Sequence, residues 1–164
     1  MTDGTGAIES LLNSLSIIDR LDAIIPTITT FDYARCTNPA ALVGLGELLD
    51  RAGEHERGLE VLSYAGRKHP EDAVASRCLG MALFRAWDLE SAIATLRRAL
   101  KSDPTDHEAM VYLAASLAEL DDPEIDEADE LCAAVLLDSS RDELIAPALE
   151  LRHRIADYRR ALVT

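Results

Sequence analysis

The sequence predicts an all-α chain of stacked helical hairpins, and three observations predict it. The first is a repeat: Pro70 and Pro104 close two successive segments, 39–70 and 73–104, that share one length and one apolar pattern. The second is composition. Apolar residues, dominated by Ala and Leu, make up 48% of the chain while aromatics make up 4%, a mix that suits closely packed helices better than strands. The third is punctuation, with cap-forming residues before several apolar runs and Pro or Gly after others.

Taken in order, residues 1–38 form an N-terminal unit. Ile8, Leu11, Leu12, Leu15, Ile18, Leu21 and Ile25 line one face of a helix expected over about 7–25. The positions 8, 11, 15, 18, 22 and 25 follow a coiled-coil seam, apolar except for Asp22. That face either packs back onto the next unit or pairs with another protomer, which makes Ile8, Leu11, Leu15, Ile18 and Ile25 the candidate self-association residues of a homodimer. Residues 26–38, PTITTFDYARCTN, read as a connector.

The repeats are expected at 39–72, 73–106 and 107–140. In the first two, Leu45-Gly46 aligns with Leu79-Gly80, Leu49 with Leu83, Gly58 with Ala92, Leu62 with Leu96 and Ala65 with Ala99. Small residues at Gly46, Gly80, Gly58 and Ala92 let two helices of one hairpin approach. The leucines fill the space between neighbours, and proline ends the second helix because it lacks a backbone donor. Asn38 before Pro39 predicts an N-cap with proline at the first helical position. Thr105 with Glu108, and Ser140 with Glu143, match capping boxes, and Gly53 parts the helices of the first hairpin. Helices are expected over 39–52, 55–68, 73–86, 89–102, 106–120 and 124–137.

The third copy is looser. Leu113-Ala114 and Leu117 keep register, about two extra residues enter near Asp121-Asp122-Pro123, and Ala128, Cys132 and Val135 resume the pattern. Residues 141–164 give a C-terminal helix with Leu144, Ala148, Leu151, Ile155, Tyr158 and Leu162 at helical spacing. Pro147 in its second turn moves the expected start a residue or two past 141. Its other face carries Arg152, Arg154, Arg159 and Arg160, which complement the helix dipole. The segment reads as a cap that shields the end of the stack.

These segments resemble tetratricopeptide repeats, whose signature is a period of about 34 residues with characteristic Leu-Gly, Ala and Pro places. The resemblance covers residues 39–140. The large aromatic usual near the start of each first helix is replaced by Leu42, Ser76 and Met110. The resemblance implies that the first helices line a concave groove that binds a peptide or helix of a protein partner. Carried over in register, the groove positions include Val43, Glu47 and Asp50; Val74, Arg77, Met81, Phe84 and Arg85; and Val111 and Ala115. Its centre is expected to be apolar, with Arg77 and Arg85 placed to grip a carboxylate. Val43 and Glu47 stand where the carboxylate clamp of heat-shock co-chaperones has Lys and Asn, which argues against that clamp. The alternative is a structural, self-associating protein whose groove is filled by its own N-terminal segment. In size and layout the chain also resembles bacterial type III secretion chaperones for translocator proteins.

Other chemistry is not indicated. The net charge of −14 opposes phosphate backbones, so nucleic-acid binding is not expected. No stretch approaches the roughly 20 apolar residues of a membrane span. The acidic start MTDGTGAIES differs from a secretory signal, and a cytoplasmic location is expected. His55, His69, His107 and His153 are scattered, and Cys36, Cys78 and Cys132 have no metal-ligand or disulfide spacing. Of the thiols, Cys36 in the connector is the one expected to be reactive. The run 121–130, DDPEIDEADE, lacks the calcium-loop glycine and reads as a solvated loop and helix start. No cofactor, metal or catalytic residue is expected.

Overall fold

The computed structural model describes residues 32–120, 123–138 and 142–162. After a 3-10 turn at Tyr33–Arg35 come α1 (Pro39–Arg51), α2 (His55–Lys68), α3 (Ala73–Arg85), α4 (Leu89–Ser102), α5 (His107–Ala118), α6 (Ile125–Asp138) and α7 (Asp142–Ala161), with no strand among the described residues. The candidate self-association residues Ile8, Leu11, Leu15, Ile18 and Ile25 lie outside the described residues.

The helices pair as α1–α2, α3–α4 and α5–α6. Each first helix packs on the next first helix, and each second helix packs on the first helix that follows it. The result is two layers, one of first helices and one of second helices. Helix α7 packs on both α6 and α5, the place that the first helix of a further hairpin would take. This is the tetratricopeptide-type solenoid expected from the sequence.

Helix starts follow the local chemistry. The Asn38 side chain accepts from the Ala40 N–H ahead of Pro39, and Asp72, Asp88 and Asp106 accept from Ala75, Ser91 and Ala109. The expected Thr105 capping box therefore gives way to Asp106. Thr105 donates both its N–H and its hydroxyl to Asp103 instead, leaving the adjacent carboxylate to cap α5. Ser140 lies outside the described residues.

The first two hairpins turn in the same way. Gly53 and Trp87, at matching places in successive repeats, both have left-handed backbones, φ 83° and 62°. At each turn the residue's N–H bonds three residues back and the next N–H bonds five back, Glu54 to Leu49 and Asp88 to Leu83. That pairing satisfies the last carbonyls of α1 and α3. In the third hairpin the step from His107 to Ile125, where α5 and α6 begin, is two positions longer than the steps from Pro39 to His55 and from Ala73 to Leu89. This is the insertion read from the sequence.

The core is set by close approach inside each hairpin. A Cβ on Gly46 would lie 2.5 Å from Leu62 Cγ, and one on Gly80 would lie 2.5 Å from Leu96 Cγ. Leu62 and Leu96 thus fill their own hairpins, whereas Leu79, 2.9 Å from a Cβ on Gly66, fills the junction between two. On α7, Leu144, Ala148, Leu151 and Ile155 are buried, while Tyr158, and Leu162 just past the helix end, are exposed.

Candidate functional site

The face formed by the first helices carries the expected groove positions, and the structure divides them into three groups. Val43 and Val111 are buried in the core. This corrects their expected place at the groove centre, and the reason is geometric: successive first helices pack on one another (α1 on α3, α3 on α5). The short Val43 and Val111 side chains are drawn into that seam, whereas the longer Arg77 at the same place in the second repeat stays half-buried.

The second group is apolar and accessible. Val74 is 47% exposed, and Met81, Phe84 and Ala115 are half-buried. The Phe84 ring meets the Tyr112 ring of α5 edge to face, with centroids 5.7 Å apart. Such a pair adds about 1 kcal/mol beyond area burial. Tyr112 was not among the expected groove residues. Its signal was its place next to Val111, one position outside the usual set.

The third group is charged, and its members are already partnered. Arg77 meets Asp106 at 3.3 Å and also Glu108 of α5. Burial pulls the Arg77 guanidinium down, but Asp106 and Glu108 outweigh it and hold it above its usual range. Arg85 pairs with Asp50 of α1 at 2.9 Å, and Asp50 also meets His55 Nδ1 at 2.8 Å. The two arginines expected to grip a carboxylate of a partner instead bind carboxylates of neighbouring hairpins. Glu47 accepts only from the Cys78 thiol at 3.4 Å among the described residues. Beyond the expected positions, Arg154 of α7 pairs with Glu119 just after α5. Asp50, His55, Leu59, Ala82 and Arg85 also line a cleft of about 460 Å³ between the first two hairpins.

The three thiols are free and buried. Burial first, then the charge of Glu47, push Cys78 up to about 12, and burial raises Cys132 to about 11. Cys36, the thiol expected to be reactive, is buried, with its thiol donating to the Asn38 carbonyl at 3.7 Å. The connector is pinned onto α2: the Tyr33 ring meets the Tyr64 ring edge to face at 5.4 Å, Tyr64 donates to Ala34 O, and Lys68 donates to Cys36 O at 2.8 Å. Among the described residues no three His, Cys, Asp or Glu side chains converge as a metal cage. None of the described helices is long and apolar enough to cross a membrane.

The acidic run opens α6 with Asp126 and Glu127 in its first turn, solvated as expected but also ion-paired. Glu124 and Glu127 pair with Arg97, Asp126 pairs with Arg159 at 2.7 Å, and Asp129 is held by Arg152 at 2.6 Å and Arg159 at 3.0 Å. Asp126 and Asp129 with Arg152 and Arg159 form an α6–α7 clamp, while Glu124 and Glu127 tie the start of α6 to Arg97 of α4.

No family model matches the chain, and no curated protein matches it. Solved structures do. "Crystal structure of YrrB: a TPR protein with an unusual peptide-binding site" is 18% identical over 92% of this chain and 75% of that one, with a TM-score of 0.73. MamA 41-end from Desulfovibrio magneticus RS-1 is 16% identical over 98% of both chains, TM-score 0.69. The first TPR of Spaghetti (RPAP3) bound to HSP90 peptide SRMEEVD is 17% identical over 72% of this chain and 93% of that one, TM-score 0.62. At these identities the likeness is one of fold, the helical-hairpin solenoid of tetratricopeptide proteins.

Proposed function

We propose that this tetratricopeptide-type solenoid is a protein-interaction scaffold that holds a peptide or helical segment of a partner on its first-helix face. The observation that carries the reading is the row Val74, Met81, Phe84 and Tyr112. These apolar side chains stand partly open on the first-helix face, the face that such solenoids use for binding. Two of the fold neighbours carry a peptide or a peptide-binding site in their descriptions, which supports peptide binding by a solenoid of this kind. Met81 suits the role because an unbranched thioether adapts to varied side chains.

A finer version is a secretion chaperone that keeps an apolar segment of its client covered. It is supported by layout, with an apolar N-terminal stripe preceding three hairpins. A structural role is the competing reading, with the N-terminal segment driving self-association; sedimentation across a concentration series separates it from a monomeric adaptor.

The test is binding of an array of synthetic peptides, each about 15–20 residues long to match what a solenoid of this size can hold, to the full chain and to Met81→Glu. We expect the captured peptides to lose about tenfold or more in affinity on the substitution, with helicity unchanged. Capture that is indifferent to Met81→Glu would place binding elsewhere on the molecule.

A further inference from the structure

Three arginines of the first-helix face are already engaged by carboxylates of the chain itself. Arg77 is held by two carboxylates, Asp106 and Glu108, Arg85 by Asp50, and Arg154 by Glu119. Each pair bridges neighbouring first helices, so an incoming carboxylate would have to break a contact that helps to hold the stack. Arg51, at the place in the first repeat that Arg85 takes in the second, is exposed in the last turn of α1. Glu47 stands differently. It is half-buried on α1, and the hydrogen bond it accepts among the described residues comes from the Cys78 thiol, a weak donor that stays protonated. Arg77, already held by Asp106 and Glu108, acts on it through charge alone, so among the described residues its carboxylate keeps acceptor capacity on the face that carries Met81 on the next first helix.

We propose that the groove takes a cationic amphipathic segment: apolar side chains seat on Met81, Phe84 and Tyr112, and a Lys or Arg of the partner reaches Glu47. This rests on the groove reading above and adds the chemistry of the occupant. The whole chain carries −14, so the long-range field draws in the same class of partner. Glu47 then supplies the local contact that fixes position, because a charge-assisted bond in a half-buried site is stronger than one in water.

The test uses three synthetic peptides that share one Leu/Met pattern and carry Lys, Gln or Glu at the remaining positions. Their binding is followed by fluorescence polarisation against the full chain, Met81→Glu, Glu47→Gln, Glu47→Lys and Glu90→Lys. Glu90 is exposed on α4, so its reversal changes net charge as much as Glu47→Lys but away from the groove. We expect the Lys peptide to bind about tenfold tighter than the Glu peptide, and less so as salt rises from about 0.05 M to about 0.5 M. Glu47→Gln should weaken the Lys peptide, Glu47→Lys should weaken it further, and Glu90→Lys should change it little. Met81-dependent binding that is equal or tighter for the Glu peptide, or an equal effect of Glu47→Lys and Glu90→Lys, overturns the assignment and leaves the groove standing. If Met81→Glu affects none of the three peptides, the groove reading falls with it.

Discussion

Trp87 occupies the left-handed position that glycine holds at Gly53, with φ 62° and the indole exposed. An L-residue pays roughly 1–2 kcal/mol for that conformation. Trp87→Gly should therefore be more stable than Trp87→Ala by about 1 kcal/mol in urea denaturation, since both lose the indole and only the backbone preference differs. Equal midpoints would show that the turn relaxes out of the left-handed region. Its distance of one full repeat from Gly53 made the position legible in the sequence, but nothing in a lone Trp announces a positive φ. Arg77 and Arg85 teach the same lesson in electrostatics. Their register was right, yet their carboxylate partners come from the capping Asp106 and from a neighbouring hairpin, and one-dimensional spacing does not show which acid a long side chain will reach.

At the scale of elements, the α6–α7 clamp shows how charge orients the last helix. The side-chain bond from Arg152, then that from Arg159, holds the Asp129 carboxyl below its ordinary range. A lowered native value means stability that is present above the unfolded value of about 3.9 and is lost as pH falls through the native one. Asp129→Asn should cost about 1 kcal/mol or less at neutral pH, given partial exposure. The gap between the two proteins should close below about pH 4. A gap that persists unchanged at pH 3 (roughly one unit below that unfolded value) would assign the loss to packing and not to ionisation. The element itself was readable from Leu144, Ala148, Leu151 and Ile155 at helical spacing. The clamp was not, because the arginines and the run 121–130 were each consistent with a solvated face until α7 was laid on α6.

For the whole molecule, a stack gains stability from each junction, and its last unit needs a cover. Removing residues 139–164 strips α7 from α5 and α6. We expect circular dichroism to lose more helix than the 20 residues of α7, because the third hairpin melts with its cover. Loss of α7's signal alone would mean that the hairpin stands without it. The sequence by itself determined the fold class, the hairpin register and the close approaches at Gly46 and Gly80. Each of these follows from short-range sterics repeated at a constant period, and a period is visible in one dimension. The tertiary structure alone decided the character of the groove. Packing of α1 on α3 and of α3 on α5 buried Val43 and Val111, brought Tyr112 to Phe84, and matched the arginines with acids of neighbouring hairpins. Those outcomes depend on the angle and rise between successive hairpins, which no local pattern encodes.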